Sequence, residues 1–201
     1  MRIVVSGSCG SGKTTLVQAL SRRFRLPIIL EGVRPIYLAK RAFTHLQRDG
    51  YASPFVMQDA FEKWADSYLA WANERARLYE QWGKFIADRW EADLLSNWIS
   101  VFSGSPQIDE RTSKLIADMQ AKAKTMTFAI MLPPQMILSE GKNEEGLNRE
   151  TSFTHRLMRD LITDALMNRC EMPVLWLPRE PFDIEQRVKS VEAAVQKRFV
   201  A

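Results

Sequence analysis

The sequence predicts an α/β protein, a parallel β-sheet covered by helices on both faces. Short strand-like runs alternate with longer stretches of helical periodicity, which is the pattern of repeated βαβ units. A glycine-rich turn follows the first strand-like run and leads into a helical pattern. With 201 residues, of which 46% are hydrophobic and 26% charged, the chain is expected to form one globular domain over residues 1–201.

Five apolar runs are candidate strands. They are short, and a longer helical pattern separates each from the next, as expected for parallel strands buried on both faces. They cover residues 2–6, 27–31, 84–88, 125–132 and 173–177.

Between these runs, apolar residues recur at the three- and four-residue spacing that places them on one face of a helix. These patterns cover residues 16–24, 61–79, 94–102, 153–166 and 188–199. Trp64, Trp82 and Trp98 lie on apolar helical faces, so we expect them to be buried in the core.

The turn SGSCGSGKTT, residues 6–15, carries a strong motif. Gly7, Gly12, Lys13 and Thr14 match the phosphate-binding pattern G-x-x-x-x-G-K-[ST]. In such a loop backbone N–H groups surround a polyphosphate, the lysine offers a mobile ammonium to the β- and γ-phosphates, and the hydroxyl binds Mg²⁺. The ATP-binding residues expected from it are Gly7, Ser8, Cys9, Gly10, Ser11, Gly12, Lys13, Thr14 and Thr15. The alternative is a glycine-rich turn that binds nothing.

Charged residues follow two of the predicted strands, at the sheet edge where parallel sheets bind ligands. The run LPIIL is followed by Glu31 and, three residues later, Arg34. The run KFIA is followed by Asp88 and Arg89. Asp88 is a candidate Mg²⁺ ligand, with Thr14, and Glu31 is a candidate base for an attacking hydroxyl. Arg34 and Arg89 are candidates to neutralise charge on the substrate or transition state. The alternative is that one of these carboxylates caps a strand end and pairs with a neighbouring arginine in an inert surface salt bridge.

Five segments in order along nearly the whole chain resemble one branch of the phosphate-loop proteins. They are GSCGSGKTTL, LEGVRPIYL, FIADRW, LNRE and VLWLPREPFDIEQRV. The chain resembles the nucleoside and nucleotide kinases, and more closely the AAA-type ATPase and kinase family that includes the nicotinamide riboside kinase domain of the bacterial NAD regulator. The resemblance covers that kinase domain alone.

This resemblance implies a three-layer phosphate-loop fold with the strand order 2-3-1-4-5, ATP on the loop with Mg²⁺, and a lid over residues 139–151. It assigns Glu31 to the acceptor-side acid, Asp88 to the metal or base position and Arg149 to the lid arginine. Arg156 is a second candidate for the lid arginine, although a solvated helix face explains it equally well.

Two further residues are assigned more loosely. The resemblance places residues 178–182, beginning with Pro178, around the adenine edge of ATP. Gln58, near the start of the long helical pattern, is a candidate to bind an acceptor base, or a simple polar residue at a helix start.

Charge and cysteine content narrow the function classes. The net charge is +4, and residues 1–50 hold nine Lys and Arg against Glu31 and Asp49. This positive charge is better explained as a field that attracts a nucleotide to its pocket than as a surface that binds nucleic acid, because no nucleic-acid-binding motif is visible. Cys9 and Cys170 form no disulfide framework and no apolar run is long enough to span a membrane, so we expect a cytoplasmic protein without a membrane partner.

The sequence therefore predicts an ATP- and Mg²⁺-dependent phosphotransferase that acts on a small acceptor, a nucleoside or a nucleotide. One alternative is a phosphate-loop NTPase or nucleotide-dependent switch that acts through a protein partner. Another is a kinase that holds a nucleic-acid strand end with its basic first quarter. A homodimer is an assembly that the sequence leaves open.

Overall fold

A computed structural model describes residues 1–50, 52–102, 108–134, 152–178 and 183–200. The strands in these ranges are β1 (Arg2–Ser6), β2 (Ile28–Ile29), β3 (Phe85–Asp88), β4 (Phe128–Met131) and β5 (Val174–Trp176). The helices are α1 (Lys13–Phe24), α2 (Arg34–Asp49), α3 (Pro54–Trp82), α4 (Glu91–Phe102), α5 (Asp109–Ala123), α6 (Phe153–Met167) and α7 (Ile184–Val200).

The strands form one parallel sheet in the order β2-β3-β1-β4-β5, which confirms the expected order. β1 lies in the middle, with Val5 opposite Asp88 of β3 and Ser6 opposite Met131 of β4. Because parallel strands end at the same edge of a sheet, this register places the loop after β1 beside the end of β3.

Helices cover both faces of the sheet, as predicted. Successive residues of a strand point to opposite faces, so Val4 joins one apolar cluster while Ile3 and Val5 join another. The cluster around Val4 contains residues of α2 to α6, and the cluster around Ile3 and Val5 contains residues of α1 and α7. The result is a three-layer α/β fold.

Some elements differ from the expectation. β2 has two residues instead of the predicted 27–31, because the carbonyls of Leu30 and Glu31 accept hydrogen bonds from side chains of α3. Helices α2 and α5 have no counterpart among the predicted helices. Helix α2 does carry apolar residues at helical spacing, Ile36, Ala39 and Phe43, but among the described residues only Ile36 of this helix is buried.

The tryptophans follow the expectation with one exception. Trp64 and Trp98 are buried, whereas Trp82 is 48% exposed. Trp82 is the last residue of α3, where Gly83 ends the helix in a positive-φ conformation. Across the described ranges, we find no helix with the length and apolar character needed to cross a membrane.

Candidate active site

The phosphate-binding motif lies between β1 and α1 and is tightly shaped by its glycines. Gly7 has φ +136°, and a Cβ atom there would lie 2.6 Å from the carbonyl oxygen of Leu132 in the segment after β4. Gly12 precedes α1 with φ +89°, a conformation that favours glycine. Only glycine therefore allows this close approach of the loop to the neighbouring strand.

Lys13, the motif lysine, is buried and bonded within the loop. Its Nζ donates a hydrogen bond of 2.9 Å to the carbonyl oxygen of Ser8. Burial lowers the pKa of Lys13, and the nearby charge of Arg89 lowers it further. The ammonium is thus held inside the curve of the loop, more enclosed than the mobile group that the motif suggests.

The remaining loop residues surround this ammonium. Ser8 and Ser11 are buried, and the hydroxyl of Ser11 has no hydrogen-bond partner among the described residues. Cys9 is a half-buried free thiol, and Thr15 is exposed on the first turn of α1.

Thr14 and Asp88 meet where β1 and β3 end. The Thr14 hydroxyl donates a hydrogen bond of 2.7 Å to Oδ2 of Asp88. The other oxygen, Oδ1, is buried and has no hydrogen-bond partner among the described residues. Burial raises the pKa of Asp88 despite the attraction of Lys13. A hydroxyl and a carboxylate with an unmatched oxygen are the hard donors that Mg²⁺ prefers, so these residues fit the ion.

A magnesium ion here would have few protein ligands. In the chain as described there is no group of three or more His, Cys, Asp or Glu side chains able to hold a metal. Such sparse ligation is usual for Mg²⁺ in nucleotide enzymes, since phosphate and water supply the other ligands.

Glu31 and Arg89 form a largely buried ion pair. Arg89 Nε lies 2.5 Å from Glu31 Oε1, and the two side chains are 9% and 25% exposed. Burial by itself raises the pKa of Glu31, but the charges of Arg89 and Lys13 outweigh it and hold that pKa below its usual value. Burial opposes the charge of Arg89, and the carboxylates of Glu31, Asp93 and Asp88 raise its pKa nonetheless. The pair is therefore no surface salt bridge.

Asp93, which no sequence motif singled out, connects the end of β1 and the phosphate loop with the start of α4. Its carboxylate accepts hydrogen bonds from the Ser6 hydroxyl at 2.6 Å, from Trp90 N at 3.2 Å and from Gly7 N at 3.4 Å. It also lies 3.4 Å from Nη1 of Arg89. A signal was present, because Asp93 follows Trp90 by the three residues typical of a side chain that caps the start of a helix.

Helix α6 contributes charged residues that the apolar pattern did not predict. Arg156 is 1% exposed, and its Nη1 donates a hydrogen bond of 3.5 Å to the carbonyl of Cys9. The interpretation of Arg156 as part of a solvated helix face is wrong, because the helix turns this side chain toward the loop. Asp160, one turn later, is also buried, and burial raises its pKa to about 6.

Arg187 on α7 reaches the loop from the other face of the sheet. It is buried, and its Nη1 donates a hydrogen bond of 3.2 Å to the carbonyl of Ser11. Like Arg156, it shares a helical face with apolar residues, since Val191 lies four residues later and is fully buried. A charged residue inside an apolar stripe was the signal that could have found both arginines.

Other candidate residues stand apart from this cluster. Arg34 is the exposed first residue of α2, three residues after Glu31. Gln58 is exposed on α3 and donates a hydrogen bond of 3.0 Å to Glu62. Trp71 of the same helix contacts the carbonyl of Glu31, and the rise along a helix puts Gln58 about 20 Å from Trp71. The structure therefore does not bring Gln58 to the Glu31 pair.

The structure describes only some of the residues assigned to the adenine edge and the lid. Pro178 is exposed and lies two residues after the end of β5. Arg149, the lid over residues 139–151 and residues 179–182 lie outside the described residues.

Several solved structures share this fold at low sequence identity. The deoxyadenosine kinase of M. mycoides with bound dATP aligns with a TM-score of 0.65 and 14% identity, over 98% of this chain and 100% of that one. The thymidylate kinase of Candida albicans aligns with a TM-score of 0.60 and 13% identity, over 98% and 91%. The NadR protein in complex with NAD and AMP-PNP aligns with a TM-score of 0.57 and 16% identity, over 96% of this chain and 48% of that one.

These likenesses establish a phosphate-loop kinase-like fold. A search of curated proteins finds no match. The family model described as AAA domain matches residues 2–187. That match covers all five strands and the loop that carries Lys13, so the chain belongs to this AAA domain family.

Proposed function

We propose that this chain transfers the γ-phosphoryl group of ATP, with Mg²⁺, to a small acceptor that is a nucleoside or a nucleotide. The observation that carries the proposal is the buried Glu31–Arg89 pair beside the phosphate loop. A phosphate loop alone is compatible with hydrolysis, switching or transfer. An acid and a guanidinium at the ends of the two neighbouring strands add groups suited to an acceptor, which favours transfer.

The loop residues would hold the polyphosphate of ATP. The glycines bring backbone N–H groups close to it, and Lys13 supplies a positive charge within the same curve. Arg156 and Arg187, each bonded to a loop carbonyl, keep the loop in shape from the two faces of the sheet.

Thr14 and Asp88 would hold the magnesium ion, which neutralises phosphate charge when bound. Asp88 keeps its Oδ2 on the Thr14 hydroxyl, and its Oδ1 has no partner among the described residues.

Glu31 would accept the proton of an acceptor hydroxyl. The charges that hold its pKa below the usual value keep it ionised at neutral pH, the state in which it can take a proton. Arg89 orients that carboxylate and adds positive charge where the transferring group becomes more negative. Arg34, exposed three residues away, would meet a charged part of the acceptor.

The acceptor can be found by measuring ADP release from MgATP. The panel would contain deoxyadenosine, thymidine, dTMP, nicotinamide riboside and glycerol, because the fold is shared with nucleoside and nucleotide kinases. We expect at least one nucleoside or nucleotide to raise ADP release about tenfold or more over the acceptor-free rate.

Two variants control this assay. Lys13→Ala should lose the stimulated activity, whereas Lys114→Ala should keep it, since Lys114 pairs with Glu110 on the exposed face of α5. ADP release that is the same with every acceptor would contradict the proposal and favour an NTPase or switch.

A further inference from the structure

We propose that Arg75 of α3, together with Trp71 one turn before it, is a positioning residue that holds the Glu31–Arg89 pair in its working geometry. The inference rests on the proposed phosphotransfer for its functional meaning. Its structural basis is separate, because it lies in the contacts that α3 makes with the ends of β2 and β3.

Arg75 bridges the two strand ends with its guanidinium. Nη1 donates a hydrogen bond of 2.7 Å to the carbonyl of Leu30, directly after β2, and Nη2 donates one to the carbonyl of Arg89, directly after β3. The Arg75 side chain is buried, at 2% exposure. Two donors fixed in one plane suit this task, because they set the distance between two acceptors.

Trp71 adds a third contact at the same place. Its indole Nε1 donates a hydrogen bond of 2.6 Å to the carbonyl of Glu31. The Arg75 guanidinium lies over the Trp71 ring, 4.6 Å from its centre, which fixes the two side chains relative to each other.

These contacts hold the chain beyond the last paired residues of β2 and β3. The β2–β3 pairing ends at Ile29 opposite Ala87, so Leu30 and Glu31 lie beyond it. Arg89 adopts φ +66°, a left-handed conformation that costs a non-glycine residue free energy and persists only where its surroundings enforce it. The bond from Arg75 to the Arg89 carbonyl is such a constraint.

A buried charge of this kind needs compensation, and the structure provides it. Arg75 Nε donates to the Tyr79 hydroxyl at 3.3 Å, which in turn donates to Glu91 at 3.3 Å. Lys122 of α5 lies 3.0 Å from the other oxygen of Glu91. The buried positive charge of Arg75 is therefore offset by Glu91 through Tyr79, while its guanidinium connects α3 to the site.

The test compares Arg75→Lys and Trp71→Phe with Arg111→Lys. Lysine keeps the charge but cannot bond both carbonyls, and phenylalanine keeps an aromatic ring but loses the N–H. Arg111 of α5 also anchors α3, through Glu62 and Asp66, and its ion pairs among the described residues are with that helix and not with a strand end. It is a matched control for the loss of an arginine that anchors α3.

The first readout is hydrogen exchange of the Arg89 Nε–Hε group, followed by NMR without any substrate and assigned with an Arg89→Lys variant. We expect exchange to become about tenfold faster in Arg75→Lys and in Trp71→Phe, because each loses a hydrogen bond that restrains the site against local opening. In Arg111→Lys it should stay within about twofold of the wild-type rate. The second readout is kinetic. The KM for the stimulating acceptor should rise about tenfold or more while the dissociation constant of MgATP stays within about twofold.

Unchanged exchange and unchanged acceptor KM in folded Arg75→Lys and Trp71→Phe would overturn the proposal. If Arg75→Lys does not fold, Trp71→Phe decides, since it keeps Arg75 and an aromatic ring beside it and loses the hydrogen bond to the Glu31 carbonyl. If no acceptor is phosphorylated, the proposed function fails, and the exchange measurement still decides whether Arg75 positions Arg89.

Discussion

The side chains of Thr14 and Asp88 are joined by a hydrogen bond of 2.7 Å although 74 residues separate them in the chain. The bond connects the first turn of α1 with the end of β3, and it follows from the register in which Val5 lies opposite Asp88. One hydroxyl and one carboxylate therefore meet beside the phosphate loop, where a magnesium nucleotide would need them.

Asp88→Asn should raise the Mg²⁺ concentration needed for half-maximal activity about tenfold or more, because a neutral amide is a poorer ligand for a hard dication. The amide can still bond the Thr14 hydroxyl, so the fold should be retained. Titrating ADP release with Mg²⁺ at saturating ATP measures this. An unchanged Mg²⁺ requirement would remove Asp88 from the metal site.

Lys13→Ala should reduce phosphotransfer about 100-fold or more, because the ammonium supplies charge stabilisation at the phosphates. Lys13 is buried with a pKa lowered by burial, so its loss should cost the fold little. Circular dichroism and turnover, measured on the same preparation, test both statements. Wild-type turnover in a folded variant would contradict the phosphate-loop assignment.

Glu31→Gln should lower kcat about 10²- to 10⁴-fold if the acceptor is a hydroxyl, which is the range for loss of a general base. MgATP binding, measured by calorimetry, should change little. A phosphate acceptor is already ionised, so near-normal kcat would identify a nucleotide acceptor. Loss of MgATP binding itself would instead assign Glu31 to the metal site or to the fold.

Asp160 should make stability depend on pH. Burial raises its pKa to about 6, so the folded chain binds this proton more tightly than the unfolded chain. The stabilisation is complete below the ordinary carboxyl pKa of about 4 and is lost as the pH rises to about 6, a change of about 3 kcal/mol.

Asp160→Asn lacks this titration, so its free energy of unfolding relative to wild type should increase by about 2 to 3 kcal/mol between pH 4 and pH 7. Urea denaturation at the two pH values provides the comparison. Asp118→Asn, at an exposed position on α5, serves as the control. A difference between Asp160→Asn and wild type that is the same at both pH values would show that Asp160 does not titrate in this range.

The sheet and the loop could be predicted because their signals are local. β1 has the predicted bounds, and the glycine spacing of the motif requires the backbone that Gly7 and Gly12 adopt. The contact between Asp88 and Thr14 also follows from the topology of the sheet, since both residues lie at the carboxyl edge of parallel strands.

The supporting residues were missed because helical periodicity assigns each position to the core or to solvent. Arg75 lies between Trp71 and Tyr79 at four-residue spacing, in a buried stripe whose other members are alanine and aromatic residues. Arg156 and Arg187 sit in the same kind of position on α6 and α7. Their partners are backbone carbonyls of distant segments, and no sequence pattern specifies those contacts.

The most direct test of the proposed transfer follows the γ-phosphate itself. The protein would be incubated with ATP labelled in the γ-phosphate, Mg²⁺ and the acceptor that most stimulates ADP release, and the products separated. We expect the label on the acceptor, in an amount equal to the ADP formed, and no such product with Lys13→Ala. Label found only as inorganic phosphate would contradict phosphotransfer and show that the chain hydrolyses ATP.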